Sequence, residues 1–302
     1  MPPLTPLESL LDRSEGDDFP LPPGLAALYG PLRFPLQKGR PYVIANFVTT
    51  MDGVASLSAP GFAGGGPISG SNPHDRMVMG LLRSVADAVI VGAGTLRSVP
   101  NHLWTAEHIF PALSDSYQRL RSSLGKSEPP LNVIVSARGE IDTGLPVFRS
   151  GAVKALVVTN PEGARRVRER GLPSSVAIGE VEEGDAISAR AILSVVSRFL
   201  QGEIFLVEGG PRLMGDFFAG KCLDELFLTL APQVAGRDGS AERPGFVAAK
   251  RFGPEHPLWG TLAGVKRAGS HLFLRYSFAT EDGLGRDLRP ETTENFSPKL
   301  DA

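Results

Sequence analysis

Apolar residues along this 302-residue chain follow two alternating patterns. Short, almost wholly apolar runs at Ala88–Val91, Asn132–Ser136 and Ala155–Thr159 predict strands of a sheet buried on both faces. Tyr42–Thr49 and Glu203–Val207 read as further strands. Between these runs the apolar residues recur at helical spacing. Pro73–Ala86 places Met77, Leu81 and Val85 on one stripe, with Val78 and Leu82 beside it. Ser188–Gln201 does the same with Ile192, Leu193, Val196, Phe199 and Leu200. Pro161–Arg170 reads as a charged helix that Gly171 is placed to end, and Pro211–Ala219 as another helix. This alternation predicts an α/β protein with helices on both faces of one large sheet. Leu226–Leu230 and Leu272–Phe278 are late strands with no comparable helix between them, so an antiparallel end to the sheet is expected.

The pattern fades at both ends. Residues 1–40 carry eight prolines, a density that argues against regular strands or long helices. They are expected to form a partly ordered arm over the core, with at most a short helix at Thr5–Arg13. Thr280–Ala302 is polar, contains Pro290 and Pro298, and is expected to be mobile. The expected organisation is a proline-rich arm at 1–40, a body at 41–279 and a tail at 280–302.

Composition narrows the function. With 42% hydrophobic and 21% charged residues and a net charge of −2, the chain has ordinary globular composition. No run of one sign suggests nucleic acid or a membrane surface as partner. Cys222 is the single cysteine, which excludes an internal disulfide and a cysteine-based zinc cluster and suits a reducing compartment. Met1–Leu11 lacks the basic and apolar regions of a signal peptide. No apolar run approaches the roughly 20 residues of a membrane span. A cytoplasmic protein with no metal is expected.

The candidate chemistry sits where strands end. Phe205-Leu206-Val207-Glu208-Gly209-Gly210-Pro211-Arg212-Leu213 is a strand, an acid, two glycines and a helix start. That layout brings free backbone N–H groups and a positive helix end to an anion. Val91-Gly92-Ala93-Gly94-Thr95 repeats it, with Thr95 able to cap a helix or donate to a phosphate oxygen. The dinucleotide fingerprint fails, because Arg97 stands at its third glycine. Two such turns in one sheet suit a ligand with two phosphate-like charges or a long nucleotide. A third strand end delivers Ser136 and Arg138, a hydroxyl and a guanidinium suited to a further phosphate. A fourth combines Asn46, polar inside an apolar strand, with Thr49, Thr50, Asp52 and Gly53. The glycine-rich stretch Gly61–Ser71 follows and reads either as a flap over a substrate or as a plain connection. Each element alone is as readily a cap, a turn or a surface loop. There is no Walker A sequence, no H-E-x-x-H and no G-x-S-x-G. The five histidines show no ligand spacing.

Taken together and in order, four blocks resemble the reductase domain of riboflavin biosynthesis, with its dihydrofolate-reductase-like fold. They are Thr50-Met51-Asp52-Gly53, Leu81–Arg83 through Ala86–Thr95, Val207–Pro211, and Asp224–Leu226 with Ala231-Pro232. The resemblance spans roughly Pro41 to Phe278. It implies a three-layer α/β fold: a mostly parallel central sheet, antiparallel C-terminal strands and helices on both faces. It implies NADPH as cofactor, a small heterocyclic substrate, and hydride transfer to the ribosyl C1′ of a pyrimidine ribose phosphate. By position it implies cofactor contacts at Thr49, Gly92, Gly94, Thr95, Gly209, Gly210, Pro211, Arg212 and Leu213, with Ser136 and Arg138 near the 2′-phosphate. Asn46, Ser69, Arg83 and Glu208 fall on the substrate side, and Asp52 is the expected polar group at the reacting centre. The resemblance also implies a homodimer, with Asp224–Ala231 as the candidate interface.

Bifunctional relatives carry a cysteine-rich zinc deaminase domain before the reductase. With one cysteine and a proline-rich arm in that place, a stand-alone reductase is expected. After Thr95 the pathway enzymes have an acidic stretch and then a phosphate-reading arginine. Here the residues are Leu96-Arg97-Ser98-Val99-Pro100. A paralogous reductase of another heterocycle, such as dihydrofolate, and a nucleotide-binding protein without turnover are the competing readings.

Overall fold

The structure is a computed structural model, and it describes residues 4–58, 62, 64–181, 187–239 and 242–279. The expected mobile tail therefore lies outside the described residues. The arm contains β1 (Glu8–Asp12), β2 (Asp17–Asp18), α1 (Pro23–Tyr29) and β3 (Arg33–Phe34). The body begins with β4 (Tyr42–Thr50), α2 (Gly66–Ser69), α3 (Pro73–Val85), β5 (Ala88–Gly92) and α4 (Ala93–Ser98). Next come α5 (Ala106–Ile109), α6 (Ser114–Ser123), β6 (Leu131–Val135), α7 (Pro146–Arg149), β7 (Ala155–Thr159) and α8 (Pro161–Glu169). Then follow β8 (Val176–Glu180), α9 (Ala189–Phe199), β9 (Ile204–Val207) and α10 (Pro211–Ala219). The body closes with β10 (Glu225–Ala231), β11 (Thr261–Ala268) and β12 (His271–Ser277).

Three of the longer helix starts explain themselves locally. Asn72 caps α3 by accepting from the backbone N–H groups of His74 and Asp75, ahead of Pro73 at the first helical position. Asn160 caps α8 and Ser188 caps α9 in the same way. The starts of α4 and α10 have no side-chain cap, so their first N–H groups are left for another acceptor.

Ten strands form one sheet in the order β1-β11-β12-β10-β4-β9-β5-β6-β7-β8. From β10 to β8 every pairing is parallel. β12, β11 and β1 are then added antiparallel. This is the mostly parallel sheet with an antiparallel end, and the side chains pack it on both faces. On one face Met77, Leu81 and Val85 of α3 and Tyr117 and Leu120 of α6 cover Ile44, Val89 and Leu206. On the other, Ile192 and Val196 of α9 and Met214 and Phe217 of α10 cover Val43, Ile90 and Phe205.

Two expectations are corrected. Thr5–Arg13 holds no helix; its Glu8–Asp12 is an edge strand paired antiparallel to β11. The prolines bracket that segment instead of interrupting it, since none lies between Pro6 and Pro20, and an edge strand needs partners on one side only. The arm also joins the core, with Leu25, Leu32 and Phe34 fully or almost fully buried. The segment Asp224–Ala231 contains β10, which lies inside the sheet between β4 and β12. Asp224 is spent within the chain, taking two hydrogen bonds from Arg40 at 2.6 and 2.8 Å and one from the Val43 N–H at 2.8 Å.

Candidate functional site

In a parallel sheet all strand ends of one kind fall on one edge, and ligands collect at the carboxyl edge where the chain order reverses. Here the chain proceeds outward from β5 to β8 and returns through β9, which inserts between β4 and β5. The carboxyl ends of β4, β9, β5 and β6 are therefore neighbours. They carry Thr49 to Asp52, Glu208 to Leu213, Gly92 to Thr95, and Ser136 with Arg138. Three interstrand steps set this row about 14 Å long, the reach of an extended dinucleotide.

The middle of the row is a double turn. Gly209 presses against the end of β5: a Cβ there would lie 2.3 Å from Val91 Cα and 2.4 Å from the Gly92 nitrogen. Only glycine permits that approach. Gly210 has φ of +26° and its N–H donates to Thr95 Oγ1 at 2.8 Å. The two turns are thus locked together, and the uncapped starts of α4 and α10 open side by side. Pro211 occupies the first position of α10, Arg212 is exposed and Leu213 is buried. Gly92 and Gly94 face open space. Such a pair of N-terminal helix ends is a ready anion cradle. Next to it Ser136 is buried, while the Arg138 side chain is 70% exposed and held only loosely by Glu140 at 3.5 Å. Arg97 points away, toward the Glu140 carbonyl.

Thr49 is buried at the end of β4. Asp52, three residues on, is fully engaged. Its carboxylate accepts from Thr50 Oγ1 at 2.5 Å, the Ala235 N–H at 3.1 Å and the Gly236 N–H at 2.7 Å. The Thr50 hydroxyl and these backbone donors bring its pKa down to about 2. A carboxylate in that state ties the turn after β4 to the loop after β10, and it does not suit the role of proton donor.

On the α3 face of the same edge lie the expected substrate-side residues. Arg83 and Glu208 meet in a buried ion pair, 2.6 Å between Nη2 and Oε2, with side chains 1% and 3% exposed. Arg83 Nη1 donates to the Thr105 carbonyl and to His102 Nε2. Burial, reinforced by the Arg83 charge, pushes the His102 pKa down to about 2, so it is a neutral acceptor. Arg83 directs its Nε, both Nη1 hydrogens and one Nη2 hydrogen to these protein partners, and so positions Glu208. Ser69 is buried at the end of α2, where His271 Nε2 contacts its carbonyl at 3.0 Å and Asn72 contacts His271 Nδ1. The described part of the glycine-rich stretch is thereby docked: the Gln233 amide donates to the Pro67 carbonyl. Residues 61 and 63 of that stretch lie outside the described residues. Asn46 lies in mid-strand, 8% exposed, facing a cavity.

One residue that the strand-end reasoning passed over joins this group. Asp75, in the first turn of α3, is 4% exposed. Burial raises its pKa, opposed by the neighbouring Thr229 and Ser69 hydroxyls and by His271, while Glu208 adds to the rise. An acid on the apolar side of an amphipathic helix was the available signal.

The comparisons with known proteins bear on this geometry. The model of the RibD C-terminal domain matches residues 41–254, which contain all the strand ends of the row. The chain belongs to the RibD C-terminal domain family. Among curated members, the riboflavin biosynthesis protein RibD of Aquifex aeolicus is 24% identical over 65% of this chain and 48% of its own length. The chain thus spans about half of that protein. The 2,5-diamino-6-ribosylamino-4(3H)-pyrimidinone 5′-phosphate reductase of Methanothermobacter thermautotrophicus is 26% identical over 65% of this chain and 80% of its own length. Among solved structures, the pyrimidine reductase-like protein of Corynebacterium diphtheriae superposes with a TM-score of 0.60 at 21% identity, covering 80% of this chain and 93% of that one. The deaminase/reductase of Thermotoga maritima gives 0.58 at 20% identity, covering 80% and 58%. RibD C-terminal domains therefore share this chain's fold as well as its sequence pattern. The family match begins at residue 41, so the arm lies outside it.

Proposed function

We propose that the chain is an NADPH-dependent reductase acting on the ribosyl group of a pyrimidine ribose phosphate in riboflavin biosynthesis. The observation that carries this reading is the locked double turn, Gly209-Gly210 against Val91-Gly92 and Thr95, with two uncapped helix starts beside it. Its backbone donors suit a pyrophosphate. Ser136 and Arg138 one strand away suit a 2′-phosphate, and Thr49, Arg212 and Leu213 complete the lining. When bound, NADPH supplies the hydride.

The chain's own residues hold the substrate and manage the proton. Glu208, fixed by Arg83, offers a carboxylate edge to substrate donors, and Asn46 offers its amide. Asp75 is the acid: burial among Ser69, Thr229 and His271 favours its protonated form. As hydride reaches C1′, the bond from C1′ to the ring oxygen breaks and the Asp75 proton passes to that oxygen. Asp52 organises the loop and donates nothing. By family resemblance the working unit is a homodimer in the cytoplasm.

One observation favours a second reading, a paralogous reductase of another heterocycle such as dihydrofolate. The segment after Thr95 lacks the acidic stretch, and Arg97 is turned to Glu140. Fluorescence titration with NADPH, followed by turnover on the pyrimidine ribose phosphate and on dihydrofolate, separates the readings. NADPH binding with oxidation by the pyrimidine is expected. Oxidation by dihydrofolate alone would transfer the assignment to the second reading. Binding without turnover on either would leave a nucleotide-binding protein, and absence of NADPH binding would sink both reductase readings.

A further inference from the structure

The hairpin of β11 and β12 reaches the carboxyl edge of the sheet beside Asp75. β12 begins at His271, and its Leu272 pairs with Leu230, so His271 stands level with the carboxyl end of β10. The half-buried imidazole is fastened at both nitrogens. Nε2 lies 3.0 Å from the Ser69 carbonyl at the end of α2, and Nδ1 lies 3.0 Å from Asn72 Nδ2 at the start of α3. His271 lies beyond the family-matched residues 41–254.

The partners decide which nitrogen carries the proton. Asn72 Oδ1 already accepts from the His74 and Asp75 N–H groups, at 2.8 and 3.2 Å. The NH2 end of that amide therefore faces His271, where it can only donate. Nδ1 is then the bare acceptor, and Nε2 is the N–H that donates to the Ser69 carbonyl. An imidazolium would set Nδ1–H against the Asn72 NH2. The hydrogen bonds thus hold His271 neutral, in one tautomer, without the charge that would lower the Asp75 pKa.

Asp75 depends on both fastenings. Its backbone N–H is held by Asn72, and its carboxyl group has the Ser69 and Thr229 hydroxyls as hydrogen-bonding neighbours. Only Gly70, Ser71 and Asn72 join α2 to α3, and Gly70 has φ of +62°. His271 ties the two sides of this short turn together from outside it.

We propose that His271 is a positioning residue for Asp75: the neutral imidazole bolts the end of α2 to the start of α3, so that Asp75 stays fixed and desolvated between Ser69 and Thr229. The inference rests on the reading of Asp75 as the acid and adds to it a residue of the antiparallel hairpin.

The test sets His271→Phe beside His271→Gln. Phe keeps a ring and loses both hydrogen bonds, while Gln keeps one acceptor and one donor and carries no charge. In His271→Phe, turnover should fall about tenfold, as for a slightly misplaced catalytic group, with NADPH affinity unchanged. Water reaching Asp75 lowers its pKa, so the limb on which activity falls with rising pH should move to lower pH. His271→Gln should recover most of both losses. A lower melting temperature in His271→Phe with an unmoved limb would overturn the proposal, because a purely structural residue does that. A Gln variant as impaired as Phe would overturn it too, since a donor and an acceptor would then not suffice. If His271→Phe fails to fold, Asn72→Ser takes its place. Ser keeps a capping oxygen and removes only the donor to Nδ1, so the limb should move the same way by less, and an unmoved limb there refutes the assignment. Melting temperature against pH separates the outcome from the acid reading. Asp75→Asn should flatten that curve less in the His271→Phe background than in the parent chain, and equal flattening overturns the proposal. Unaltered turnover in Asp75→Asn alone would sink the acid reading and leave this melting comparison to decide the placement.

Discussion

The two halves of the sheet handle polar groups in opposite ways. In the parallel half, from β4 to β8, the core strands are mostly apolar, with Asn46 and Asn132 as buried exceptions, and other polar groups gather at the carboxyl edge. There Gly209, Gly210, Gly92 and Gly94 bring the backbone to the rim, with the Gly210 N–H donated to Thr95. In the antiparallel half, with β10, β11, β12 and β1, charges are carried into the interior. Arg275 is buried against Glu225 and stacked near Phe34 and Phe227 at 4.9 and 5.0 Å. Lys266 faces a cavity, and Asp224 is gripped by Arg40. The parallel half leaves two helix starts without a side-chain cap at its rim, and the antiparallel half holds charges at fixed places inside. Arg83–Glu208 and Asp75 lie where the two halves meet, so desolvated side chains there adjoin the backbone turns of the rim.

That contrast breaks most sharply at the junction. Replacing Glu208 by Leu strands the Arg83 guanidinium in the core and should cost about 3–5 kcal/mol, read from the denaturant midpoint. Arg83→Met combined with Glu208→Leu should recover most of that loss while turnover stays abolished. Recovery of turnover as well would show the pair is structural only.

Asp75→Asn comes next, with turnover expected to fall about a hundredfold, the lower range for loss of a general acid. The pH profile sharpens the test. Activity that needs protonated Asp75 falls as pH rises through its raised pKa, and the Asn variant should lose that limb. Stability carries the same sign. The raised pKa means that Asp75's contribution is full below its unfolded value and is lost as pH rises through the folded one. Asp75→Asn should therefore flatten the melting temperature against pH, at little cost to the fold. An unaltered pH limb in this variant would move the acid elsewhere.

Gly210→Asp probes the parallel rim. A carboxylate at the cradle, at a backbone angle that favours glycine, should weaken NADPH about thirtyfold, or ~2 kcal/mol. NADPH affinity equal to the parent's would mean the cradle holds some other ligand. The smallest effect belongs to Arg138→Ala at the far end of the row. It should lower NADPH affinity about tenfold and leave NADH unchanged, because an exposed guanidinium offers only a partly screened contact. Equal losses for both nucleotides would remove Arg138 from the 2′-phosphate.

The legibility of the chain follows the same division. Strands β4, β5, β7 and β9, helices α3 and α10, and both glycine turns were readable because each is a local pattern: an apolar run, a helical stripe, or glycine beside a strand end. The arm's strand and β11 were not. β1 is mostly exposed and pairs only with β11, across more than 250 residues of chain, while β11 is held between β1 and β12. Side-chain roles divided likewise. Thr95 reads in the sequence as a cap or donor, but it lies inside α4, where Gly92 is the N-cap, and its hydroxyl accepts the Gly210 N–H. Asp52 lay in a motif, yet its partners Ala235 and Gly236 come from a distant loop, and they decide that its carboxylate is occupied. Asp75, in no recognised block, acquires its character only from burial.

By itself, then, the sequence determined the α/β class, the order of the parallel units and the backbone chemistry at the strand ends, because short-range sterics and periodic burial act on neighbouring residues. The tertiary structure alone decided which charges meet and which are desolvated. Arg83 found Glu208 across 125 positions, Asp75 was shut in by Ser69 and Thr229, and Lys266 was set over the Tyr29 ring. Those outcomes depend on dielectric and distance, which exist only once the chain has folded.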